Sequence, residues 1–173
     1  MPVPITLDKS SRRIFALAAV VLVLDQFTKW IVLNTINEGD ERVVIPGFFS
    51  LANRANTGAA WSMFTGNNTL LALVALMALV ILYLSRRQFN AQTALGTIAF
   101  GLIFGGIAGN LTDRLLPGRH AVVDFLHFYL DRRGTFDSLD FPAFNVADSA
   151  ICTGVALIFL INWRNDRAPQ TSA

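Results

Sequence analysis

Charge is scarce in this chain. Lys, Arg, Asp and Glu make up 15% of the 173 residues, against about 25% in an average soluble domain, which argues against a water-soluble globular fold. Cysteine is nearly absent as well. Cys152 stands alone, so no internal disulfide framework exists and no redox compartment is implied. It offers no sign of the nearby base and lowered pKa that a thiol nucleophile needs, and it reads as a small buried residue. An excess of one charge is missing too: the formal net charge is +2, which gives no reason to expect nucleic acid as a partner. The glycine-rich stretch Gly101, Gly105, Gly106 and Gly109 follows no strand and precedes no Lys-Ser or Lys-Thr pair, so it is not a phosphate loop. Its spacing of four is instead a ridge for close helix packing in lipid.

Apolar residues, by contrast, make up 53% of the chain, with a mean hydropathy of +0.49. A membrane span needs about 20 mostly apolar residues. Four stretches qualify or nearly so: 14–33, 69–84, 93–112 and 146–163. These predict a mainly α membrane protein, a single integral membrane domain over 1–173. The basic residues before Ile14 could introduce a secretory signal, but Asp25, Gln26, Thr28 and Lys29 follow where a cleavage site would lie, so this stretch is read as a retained span. Lys9, Arg12, Arg13, Arg86, Arg87, Arg164 and Arg167 fall in short flanks on one side. The positive-inside rule then puts both termini in the cytoplasm and the two long connections outside.

The first long connection carries two β-prone runs, Arg42-Val43-Val44-Ile45 and Phe48-Phe49-Ser50-Leu51, joined by Pro46-Gly47. That pattern predicts a hairpin or curved sheet, an outer β-cradle over about 41–60. Polar residues recur at helical spacing near the outer ends of three spans: Asp25 with Lys29, Asn110 with Asp113 and Arg114, and Asn145 with Asp148. Each pair shares a helix face, and together they are expected to line one outer cavity. Carboxylates near lipid are costly enough to mark a functional site by default, which singles out Asp124 and Asp148. Two carboxyls held together share a proton and titrate as a unit, as an acid and base for hydrolysis require.

Five motifs now stand in order: Leu24-Asp25-Gln26 with Lys29; Asn56-Thr57-Gly58-Ala59-Ala60; Gly109-Asn110 with Asp113-Arg114; Val122-Val123-Asp124-Phe125; and Phe144-Asn145-Val146-Ala147-Asp148-Ser149. In this the chain closely resembles the bacterial lipoprotein signal peptidases, or signal peptidase II, from about residue 14 to 163. The resemblance implies four transmembrane helices with a small extracytoplasmic β-cradle and a short extracytoplasmic helix. It implies a membrane aspartyl endopeptidase that removes the signal peptide from a diacylglyceryl-modified prolipoprotein just before the lipidated cysteine. Asp124 and Asp148 match the catalytic aspartates. Asn56, Asn110, Arg114 and Asn145 match the polar residues around them, Asp25 and Lys29 match supports from the first helix, and Gly58 belongs to the second motif. The family implies a monomer in the bacterial inner membrane, with its site on the periplasmic side, no cofactor and no metal, and membrane lipid and the lipid-modified prolipoprotein as its partners. Trp61 stands where Phe is more usual, and the charged segment 131–140 has a length that varies.

Three other readings compete. His120, Asp124, His127 and Asp148 could form a metal-ligand set, although the spacing suits no standard zinc motif. The same intramembrane charges could serve a proton relay or transporter, but the halves show no internal repeat. A scaffold would use every polar group for helix association.

Overall fold

The computed structural model describes residues 8–58, 64–131 and 138–166. Four helices, α1 (Lys9–Thr35), α2 (Asn68–Ser85), α3 (Ala94–Leu115) and α4 (Val146–Asp166), are each long and apolar enough to cross a membrane. Four strands, β1 (Glu41–Ile45), β2 (Phe49–Asn56), β3 (Val122–Asp131) and β4 (Ser138–Asp140), form an antiparallel sheet in the order β1-β2-β3-β4. The fold class is thus the expected one. The described residues hold no fifth helix to match the short extracytoplasmic one; residues 59–63 between β2 and α2, with Trp61 among them, lie outside the described residues, as do residues 132–137 between β3 and β4.

The helices begin where a side chain can take up free amides. Asp8 caps α1, its Oδ1 accepting from the Ser11 N–H at 2.7 Å, so α1 starts five residues before the apolar run. Thr93 caps α3 in the same way, accepting from the Gly96 N–H at 3.0 Å. Large apolar side chains then point outward, with Leu84 71% and Phe159 72% exposed, the reverse of a soluble helix and the pattern lipid allows.

The centre of the bundle is α3, and glycine puts it there. A Cβ on Gly101 would meet Leu17, and one on Gly105 would come within 2.7 Å of the Ala18 carbonyl, so this edge fits against α1. On the other edge a Cβ on Gly106 would strike the Ala147 carbonyl of α4. Gly109 touches both neighbours, Asp25 and Ala147. The expected packing ridge is therefore real, and it serves contacts within one chain. On α4 the contact face is Ala147, Ile151 and Gly154. Cys152 sits one residue around the helix and is exposed, which corrects the expectation that it is buried.

In the sheet, Pro46 and Gly47 make the predicted turn: Gly47 has φ of 76° and the Phe48 N–H donates to the Ile45 carbonyl at 3.1 Å, as a tight turn with Pro then Gly at its centre requires. Strand β3 lies outside the predicted cradle. Val122 to Leu130 is rich in β-branched and aromatic residues, and it pairs with β2 along its length, Ala55 opposite Val123 and Ser50 opposite His127. This pairing carries Asp124 to the mouth of the bundle.

Candidate active site

Asp124 and Asp148 come from different elements and meet at Asn145. Asp124 projects from β3, where its Oδ2 accepts from Asn56 Nδ2 at 2.9 Å and its Oδ1 from Asn145 Nδ2 at 2.7 Å. Asp148 lies in the first turn of α4. Its N–H donates to Asn145 Oδ1 at 2.9 Å, while its own Oδ2 accepts from the Asn145 N–H at 3.2 Å. This is the reciprocal bonding of a capping box, so the start of α4 fixes the Asp148 rotamer and aims Asn145 at Asp124. Asn110 of α3 completes the cradle, donating to Asp148 Oδ1 at 2.7 Å and accepting from Asn145 Nδ2 at 3.2 Å.

Among the described residues, three asparagines thus supply the side-chain hydrogen bonds to the two carboxylates. Asp124 is 4% exposed. Burial, and after it the neighbouring Asp148 charge, push its carboxyl up to about 7, against the opposing pull of the Asn56 and Asn145 amides. The pair can therefore hold one proton near neutral pH.

Beneath it lies a second polar cluster. Lys29 donates to Asp25 Oδ2 at 2.8 Å, Asp113 Oδ2 at 2.7 Å and Asn110 Oδ1 at 3.1 Å. That uses all three ammonium protons. Asp113 Oδ1 also accepts from Arg119 at 2.7 Å and from Gln26 at 3.0 Å. Asp25 Oδ1 accepts from the Ala147 N–H at 2.9 Å, at the first turn of α4. Asp25, Lys29 and Asp113 are wholly buried, so they do not line the shared outer cavity expected of them. Their connection to the aspartates runs through Asn110.

Arg114 donates to the Gly58 carbonyl at 2.7 Å and to Asn68 Oδ1 at 3.2 Å, and Asn56 Oδ1 accepts the Gly58 N–H at 2.9 Å. These bonds tie the Asn56–Gly58 segment to α2 and α3, so Arg114 orients the backbone beside the aspartates instead of bonding to them. The sequence reading left Asp113, Gln26 and Arg119 outside its site residues. Helical spacing placed Asp113 on a polar face, but nothing in one helix shows which neighbour that face meets.

The metal-ligand set is not assembled. His127 lies three residues after Asp124 on one strand, which puts the two on opposite faces. Its Nδ1 is 3.0 Å from Glu41 Oε2 and 3.2 Å from Ser50 Oγ. Burial alone would raise the Glu41 carboxyl, but hydrogen bonds from His127 and Ser50 hold it below its ordinary value.

A family model described as signal peptidase (SPase) II matches residues 17–164. The chain belongs to the signal peptidase II family. It is accordingly an aspartic endopeptidase of that type. The lipoprotein signal peptidase of Symbiobacterium thermophilum is 42% identical, over 83% of this chain and 90% of its own. That of Anoxybacillus flavithermus is 37% identical, over 88% of this chain and 86% of its own. A solved bacterial membrane enzyme superposes with a TM-score of 0.73 at 32% identity, covering 92% of this chain and 93% of that one. The matched span, residues 17–164, contains both clusters.

Proposed function

We propose that the protein removes the signal peptide from diacylglyceryl-modified prolipoproteins, cutting before the lipidated cysteine, with Asp124 and Asp148 activating the water. Lipoprotein signal peptidase activity follows from the family. The observation that carries the finer reading is Asn145, which bonds to Asp124 with its amide and to Asp148 with its backbone, holding two carboxyls from separate elements in one network.

Burial and the neighbouring Asp148 charge keep a proton on Asp124, which leaves Asp148 as the proton acceptor. Asp148 therefore takes a proton from water as its oxygen attacks the scissile carbonyl carbon, and Asp124 donates its proton to the carbonyl oxygen. In the collapse of the resulting diol, Asp148 passes its proton to the leaving nitrogen as the C–N bond breaks. Asp124 recovers one from the diol hydroxyl, which restores the starting state. Asn56, Asn110 and Asn145 fix the carboxyls, Arg114 and Gly58 position the backbone beside the peptide, and Asp25 with Lys29 supports α4 and Asn110 from below. The lipid-facing helix flanks accommodate the substrate's acyl chains.

The protein is a multi-pass inner-membrane protein. Its orientation follows the flanking basic residues, with both termini cytoplasmic and the aspartates at the periplasmic end. Residues 1–173 act as one monomeric membrane domain without a cofactor.

Asp124→Asn and Asp148→Asn should each lower cleavage of a lipidated precursor by at least about 1,000-fold, with chelators having no effect. Retained cleavage in either folded variant would end this mechanism.

A further inference from the structure

The opposite end of the bundle carries a feature that peptide hydrolysis does not use. A cleft of about 470 Å³ opens there, lined by Lys9, Ser10 and Arg13 of α1 and by Gln92, Thr97 and Ile98 around the start of α3. That volume lies within the range of small-ligand sites. Lys9 and Arg13 are four residues apart and share one face of α1. Among the described residues, neither cation has an ion-pair or hydrogen-bond partner. The adjacent carboxylate, Asp8, is engaged by the cap, with Oδ1 accepting from the Ser11 N–H at 2.7 Å and from Ser10 Oγ at 3.1 Å. A smaller neighbouring cleft of about 210 Å³ includes Asp8 and adds Arg86 and Arg87.

Three observations agree on the ligand. Two cations without a partner among the described residues, Lys9 and Arg13, call for an anion. The cleft opens beside an apolar flank, where Leu95 is 40% and Ile98 43% exposed, so the anion should carry hydrocarbon. The position is the boundary where a spanning helix leaves lipid, the depth of phosphate headgroups. We propose that this cleft binds the headgroup of an anionic phospholipid in the adjoining leaflet. Lys9 and Arg13 meet the phosphodiester, Ser10 and Gln92 bond to the polar remainder, and an acyl chain runs along Leu95 and Ile98. The bound lipid would also join the start of α1 to the start of α3, outside the buried cluster of Ile14, Phe100 and Phe104.

The test uses the full chain, purified in a neutral detergent and titrated with dioctanoyl phosphatidylglycerol, dioctanoyl phosphatidylcholine or inorganic phosphate, with bound adducts counted by native mass spectrometry and the melting temperature read in parallel. Phosphatidylglycerol should bind saturably and raise the melting temperature, while the other two do neither. Lys9→Gln/Arg13→Gln should weaken that binding by about tenfold or more, and Arg42→Gln, which removes a charge at the other end, should leave it unchanged. Equal binding of phosphatidylcholine would remove the anion from the account, and an equal response to inorganic phosphate would remove the lipid. A loss in Arg42→Gln matching that in the double variant would reduce the effect to net charge. Cleavage by the double variant should equal that of the wild type, so failure of this site says nothing against the aspartates.

Discussion

Two groups of buried carboxylates sit one above the other in this bundle, and they differ in what neutralises them. Asp25 and Asp113 are bonded to Lys29, and Asp113 also to Arg119, so two negative charges face two positive ones. Asp124 and Asp148 instead receive amide hydrogens from Asn56, Asn110 and Asn145. A buried carboxylate bonded to a cation is an ionic tie between helices. One bonded only to neutral amides still carries uncompensated charge, and holding a proton is the way to relieve it. The same residue type at neighbouring depths therefore serves adhesion in one place and proton transfer in the other. Asn110 touches both groups, accepting from Lys29 and donating to Asp148, so the ionic cluster also holds the upper one in register.

Breaking the lower cluster should cost the most stability. Lys29→Met leaves Asp25 and Asp113 with too little positive charge, and removing one partner from a buried ion network costs about 3–5 kcal/mol. Thermal unfolding in detergent should show a large drop. A small change there would mean the cluster is not the tie described. Gly109→Ala tests the same contact by volume, since its new Cβ would lie 2.6 Å from Asp25 Oδ2. A loss of about 1–3 kcal/mol is expected, with cleavage falling only as far as α4 shifts.

The upper cluster should respond in its pH profile before its stability. Asp124 must be protonated to donate, and its carboxyl is pushed up to about 7, so kcat/KM should fall as pH rises through that value. The Asn56 amide lowers that value by favouring the carboxylate. Asn56→Ala should therefore move the falling limb to higher pH while the melting temperature changes little. A limb that stays put, or moves lower, would deny Asp124 the proton.

Much of this arrangement was legible in the residues. Hydropathy marks the four spans because lipid asks for length and apolarity, and the i, i+4 spacing of Asp25 and Lys29 shows the ion pair directly. The start of α1 was harder, since its capping side chain, Asp8, lies outside the apolar run, whereas Thr93 opens the 93–112 stretch and caps α3. The β-prone composition of Val122 to Leu130 was a local mark of β3, but its pairing with β2, some 70 residues away, was not, and with that went the position of Asp124. Gln26 was missed for the same reason, since it reaches Asp113 across elements; Arg119 was missed because only the turn after α3 folds it back onto Asp113. Cys152 shows how fine such a reading must be. One step around α4 from the face carrying Ala147 and Ile151, it leaves the packed side altogether.

The most direct measurement takes Asp124→Asn and the wild type through the same two assays, cleavage of a diacylglyceryl-modified prolipoprotein beside its unlipidated twin, and thermal unfolding. The wild type should cut only the lipidated form, and the variant should lose that cleavage while melting at the same temperature or higher, because an uncompensated carboxyl has been replaced by a neutral amide. A variant that melts far lower, or one that still cuts, would contradict this, for Asp124 would then belong with the ties and not with the chemistry.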